Sequence, residues 1–117
     1  MREFRVVTGP PGAGKSTYVD AHMAPGDVVI DYERLARALG SPVTERGPSG
    51  EWEHPEHMRW IVWATWKAAR EEARRMRGYT VWLIQCYPSR TDLFTYQYSG
   101  ATVINVDPGT HQPEVTP

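Results

Sequence analysis

Phe4-Arg5-Val6-Val7-Thr8-Gly9-Pro10-Pro11-Gly12-Ala13-Gly14-Lys15-Ser16-Thr17 decides the fold. Its second part matches G-x-x-x-x-G-K-[ST] in full, and its first part is a β-branched run suited to a buried strand. Residues 15–23 read as a helix, so strand, glycine-rich loop and helix follow one another without a gap. A loop of this kind holds a dense anion by aiming backbone N–H groups at it. Gly9, Gly12 and Gly14 reach conformations closed to residues with a Cβ. The helix that follows presents unsatisfied N–H groups and the positive end of its dipole. Gly9, Gly12, Ala13, Gly14, Lys15, Ser16 and Thr17 are therefore the candidate phosphate-binding residues. Lys15 is placed for the β- and γ-phosphates, the Ser16 hydroxyl for Mg²⁺, and Thr17 for the α-phosphate. Pro10 and Pro11 remove donors and stiffen the loop before a ligand arrives. The alternatives are a chance glycine-rich turn and a loop that binds nucleotide without catalysis.

With 117 residues, the chain fits one domain spanning 1–107, followed by a patternless, proline-containing tail over 108–117 read as disordered. A net charge of −1 argues against a strongly basic nucleic-acid coat. The single cysteine, Cys86, excludes an internal disulfide and suits a reducing compartment. No apolar run approaches the ~18 residues of a membrane span, and no signal-type apolar region follows Met1, so a cytoplasmic location without membrane partners is expected.

Residues 28–30 read as a second strand ending at Asp31, and residues 32–39 as a helix with Leu35, Ala36 and Leu39 on one face. Residues 41–53 shift to Ser, Pro, Gly and charge, and read as a mobile loop. Pro55 opens the longest helix, on which Met58, Ile61, Val62, Thr65, Ala69, Ala73 and Met76 form the expected core stripe. Arg59, Lys67, Arg70, Arg74 and Arg75 lie on the opposite surface. Residues 80–84 are a third strand of continuous hydrophobicity, Ser89 caps a helix over residues 90–98, and residues 101–106 are the fourth strand. Strands separated by helices imply an α/β fold with a parallel sheet, right-handed crossovers and helices on both faces. Ligands of such sheets bind at the carboxyl ends of strands, where the glycine-rich loop, Asp31 and Gln85-Cys86-Tyr87 meet.

The motifs GPPGAGKST at 9–17, Asp31-Tyr32-Glu33-Arg34, VWLIQCYP at 81–88 and VINVDPG at 103–109 together resemble the P-loop kinases of the polynucleotide-kinase and nucleotide-kinase group, in particular small phage-type members. The resemblance implies a three-layer P-loop fold with strand order 2-3-1-4. It also implies ATP and Mg²⁺ as cofactors, with a nucleotide, nucleoside or single-stranded nucleic-acid 5′-hydroxyl as acceptor. Carried over residue by residue, Asp31 activates the acceptor hydroxyl and Arg34 contacts the acceptor's phosphate. The chemistry needs one carboxylate near the attacking oxygen. Asp31 is equally explained as a helix N-cap. Many such kinases carry an acidic residue at the end of the third strand, where Gln85 and Cys86 stand here, which shifts more of the metal's environment onto Asp31 with Ser16. The resemblance also places an arginine-bearing lid after the fourth strand; Arg90 is the one candidate near the site, with an ordinary exposed position as its alternative. An open fourth-strand edge points to a homodimer or to cover by the tail. The rival reading is a non-catalytic nucleotide-binding module acting through a partner in phage DNA processing.

Trp52, Trp60 and Trp63 are weighed for stacking on bases and for ordinary packing, with packing the stronger reading. His54 and His57, beside Glu53 and Glu56, have near metal-like spacing, but Pro55 interrupts them and no further ligand cluster is evident.

Overall fold

The computed structural model describes residues 3–42, 45–48 and 50–107, so the expected tail lies outside them. In chain order the elements are β1 (Glu3–Thr8), α1 (Lys15–His22), β2 (Val28–Ile30), α2 (Tyr32–Ala38), α3 (Glu56–Arg75), β3 (Thr80–Gln85), α4 (Arg90–Tyr98) and β4 (Thr102–Asn105). All strands are parallel, in the order β2-β3-β1-β4. This is the expected α/β sheet. Thr8 is in register with Gln85 and with Asn105, so the ends of three strands lie level beneath one rim.

Alternation along the two central strands separates two cores. Phe4, Val6, Val81 and Leu83 pack with Trp66 and Ala73 of α3 and Tyr96 of α4. Val7, Trp82 and Ile84 pack with Val19 of α1 and with Val106. Helices therefore cover both faces of the sheet.

The caps explain why the helices begin where they do. Asp31 accepts the Glu33 N–H at 3.3 Å. Ser89 accepts the Asp92 N–H at 3.0 Å while Asp92 accepts the Ser89 N–H at 3.4 Å, a reciprocal capping box.

The expected stripe on α3 needs correction. Met58, Val62, Trp66 and Ala73 are the buried residues, whereas Ile61 is 54% exposed. Met76 lies past the helix end and is exposed. Positions 61 and 62 differ by about 100° on a helix, and the rotation that prevails buries an indole instead of an isoleucine. Arg70 is likewise drawn inward from the expected basic surface: its guanidinium lies 5.0 Å from the Trp66 ring, and Nη1 donates to the Tyr96 hydroxyl at 3.3 Å. Leu39, expected on the inner face of α2, is exposed at its C-cap.

β4 stands at the sheet edge, paired with β1 alone. Thr102 and Asn105 are exposed there, and Val103 and Ile104 are half-buried. Among the described residues no helix is long and apolar enough to cross a membrane.

Candidate functional site

The glycine-rich loop leaves β1 at Gly9, whose φ is +151°. A Cβ on Gly9 would collide with the carbonyl oxygen of Val106, which follows β4 and whose N–H donates to Thr8 O at 2.7 Å. Gly9→Ala is therefore expected to wedge the end of β4 from β1. It should cost roughly 3 kcal/mol from overpacking and backbone strain together, measured by urea denaturation; an unchanged midpoint would show that the loop yields instead.

Gly12 and Gly14 also have positive φ, and Gly14 occupies the N-cap of α1 in the left-handed region, with no side-chain cap. Gly14 thus offers the first N–H groups of α1 no side-chain acceptor. Lys15 is only 6% exposed, and its Nζ donates to the Pro10 carbonyl at 2.8 Å. Ser16 Oγ donates to Asp31 Oδ2 at 3.0 Å. Asp31 is buried at the end of β2, so a hydroxyl and a carboxylate from two elements meet at one point beside the loop. Thr17 lies on the exposed side of the same helical turn.

Arg34 points to the Asp31 side of α2, as expected, and is also held by α1. Its Nη2 pairs with Asp20 Oδ1 of α1 at 2.6 Å and its Nε lies 3.4 Å from Asp31 Oδ2. It braces α2 against α1 and does not line the cleft.

That cleft, of about 460 Å³, begins at the glycine-rich loop and passes Asp31 and the end of β3 toward α3. It runs to the β2 side of the loop, away from β4. Trp66 and Ile84 contribute to its floor, and Tyr32, Glu33, His54 and Trp63 to the far wall. Trp63 stacks on Trp66 with ring centroids 4.9 Å apart and planes 6° apart. Of the tryptophans weighed for stacking, Trp63 packs on Trp66 yet is 42% exposed and lines the cleft with Trp52, while Trp60 is 71% exposed.

His54 is 3% exposed and both ring nitrogens are engaged, Nδ1 with Ser41 Oγ at 2.6 Å and Nε2 with Glu33 Oε1 at 2.8 Å. Burial pushes the Glu33 carboxyl above its ordinary range; the His54 contact opposes the rise and the Asp31 charge adds to it.

Two groupings escaped the sequence. At the end of β3, Gln85 Nε2 donates to Asp92 Oδ2 at 3.1 Å and Gln85 Oε1 accepts from the Tyr96 hydroxyl at 2.6 Å. A carboxylate from α4 thus reaches the end of β3, although Asp92 does not line the cleft. The second is a small hairpin within the loop 41–53. Arg46 and Trp52 form an antiparallel bridge, Gly47 N–H donates to Glu51 O at 2.6 Å, and Gly50 N–H to Gly47 O at 3.0 Å. Arg46 and Trp52 line the cleft, and Arg90 does not. The turn-forming Gly47-Pro48 and Gly50 were the only local signal of the hairpin. Comparison with protein-family models, with curated proteins and with solved structures returns no match to this chain.

Proposed function

We propose that this chain is a P-loop kinase-type phosphotransferase, moving the γ-phosphoryl group of ATP to a hydroxyl of a nucleotide, a nucleoside or a nucleic-acid 5′ end. One observation carries the reading: the Ser16–Asp31 pair stands between a phosphate-shaped loop and a cleft with room for a second substrate. A hydrolase needs only water beyond the phosphate, whereas this cleft extends past Asp31 to an aromatic wall.

The residues fit nucleotide and metal. The positive-φ glycines leave the backbone open to approach, Lys15 holds an ammonium at the loop, and Ser16 with Asp31 forms an all-oxygen set suited to Mg²⁺. Mg²⁺ supplies neutralisation of phosphate charge when bound. Asp31 orients the acceptor hydroxyl and takes its proton as the acceptor oxygen bonds to the γ-phosphorus. The bond to the β–γ bridging oxygen breaks, and ADP leaves with that electron pair.

Asp31→Asn preserves size and the helix cap. It is expected to keep ATP binding within about threefold and to lower transfer by about 10²–10⁴-fold. The assay is labelled ATP against nucleosides, nucleotides and 5′-hydroxyl DNA and RNA; normal transfer by the variant would remove Asp31 from the chemistry. A second reading, a nucleotide-holding module acting through a partner, is favoured by Arg34, whose guanidinium is already paired with Asp20 and Asp31. Tight nucleotide binding with no transfer across the panel would establish it.

A further inference from the structure

We propose that Arg46 is the guanidinium that contacts the γ-phosphoryl group, delivered by the hairpin between α2 and α3. This rests on reading the glycine-rich loop as a nucleotide site.

Arg46 lines the same cleft as Lys15 and Ser16. Its hairpin is seated against the glycine-rich loop: a Cβ added to Gly50, whose φ is +90°, would lie 3.1 Å from the Pro11 carbonyl oxygen. The two loops therefore touch, and what one holds the other can reach.

The partners of Arg46 are neutral. Its Nη1 donates to Gly50 O at 2.5 Å, and its guanidinium lies 4.4 Å from the centre of the Trp52 ring. Arg37 lies 4.7 Å from the same ring. Among the described residues no carboxylate comes within ion-pair distance of Arg46, although Glu51 lines the cleft from the same hairpin. Stacking on an indole occupies the face of a guanidinium and leaves its N–H donors, which lie in the plane, pointing outward. The charge is held in place without being neutralised, which is the state an incoming anion requires.

The other cations near the cleft are differently committed. Arg34 pairs with Asp20 and Asp31. Arg59 donates to His54 O at 3.0 Å on the far wall and also borders a shallow groove beside Trp60. Lys15 belongs to the glycine-rich loop itself. Among the described cations that line the cleft, Arg46 is the one carried by the hairpin that lies against that loop.

Calorimetric titration of the full chain with Mg²⁺ and either the β,γ-imido analogue of ATP or ADP tests this. Arg46→Ala is expected to weaken the triphosphate about tenfold to a hundredfold and to leave ADP within about threefold. Arg46→Lys should retain part of the difference, and free guanidinium ion, far below denaturing concentration, should restore triphosphate affinity to Arg46→Ala only. Equal weakening of both nucleotides, or of neither, would overturn the proposal, the first outcome making Arg46 a support of the hairpin. Lys15→Ala, run in parallel, should weaken both. If it does so while Arg46→Ala behaves as the unaltered chain, Arg46 falls and the loop's role stands. If the unaltered chain binds neither nucleotide, both fall together.

Discussion

Replacing Trp66 with alanine is expected to lower the unfolding free energy by about 3–5 kcal/mol, the usual cost of truncating a large buried aromatic. Trp66 is 1% exposed and packs with Phe4, Val6, Leu83 and Tyr96 in the core on the α3 side of the sheet. Its Nε1 donates to the Ile84 carbonyl at 3.3 Å. That carbonyl belongs to a strand that also borders the cleft, so the variant leaves both a void and an acceptor short of its donor. A domain of this size has about 5–15 kcal/mol in total, and the loss is a large share of it. Trp66→Phe keeps most of the ring area and forfeits the hydrogen bond, for an expected cost of about 1–3 kcal/mol. Urea titration by circular dichroism measures both. A Trp66→Ala midpoint within error of the unaltered chain would show that α3 is held by other contacts.

Lys15→Ala is expected to weaken nucleotide binding about 10²-fold or more while leaving the ligand-free fold as stable as before, or slightly more so. The two halves have one cause. Lys15 is a nearly buried ammonium whose hydrogen bond goes to a neutral carbonyl, Pro10 O, and among the described residues it has no carboxylate partner. Taking that charge out of water is costly, and in the ligand-free state the cost is only partly offset. Triphosphate would complete the pairing, and alanine removes both the cost and the reward. Calorimetry and thermal melts, each with and without ATP·Mg²⁺, separate the two effects. Unimpaired binding by the variant would detach the loop from nucleotide.

The frame was legible because its signals are local. The β1 run, the glycines, and the caps at Asp31 and Ser89 each announce themselves within a few residues, and the strand order 2-3-1-4 followed from resemblance in the motifs. The rotation of α3 was not legible, because Trp60, Ile61, Trp63 and Trp66 make that helix apolar on more than one side. Only the sheet decides that Trp66 goes in and Ile61 stays out. Arg34 was placed correctly beside Asp31, but its second partner, Asp20, is fourteen residues away. Gln85 and Asp92 meet across the turn between β3 and α4, a pairing that no sequence period encodes. The hairpin carrying Arg46 lacks periodicity altogether, and its position over Pro11 is a long-range contact.

The contact of Ser41 with His54 gives the segment between α2 and α3 a fixed base. The chain departs at Ser41 and returns at His54, with side chains 2.6 Å apart and His54 pinned again by Glu33 of α2. Between those posts the segment can lengthen on either side of the hairpin while its endpoints stay put. Closing a loop of twice the length costs only about 0.6 kcal/mol more. The hairpin itself is the part that must stay, because Gly50 lies against Pro11 of the glycine-rich loop and Arg46 lines the cleft. The two posts thus mark the stretches on either side of the hairpin as graft points that leave the sheet untouched.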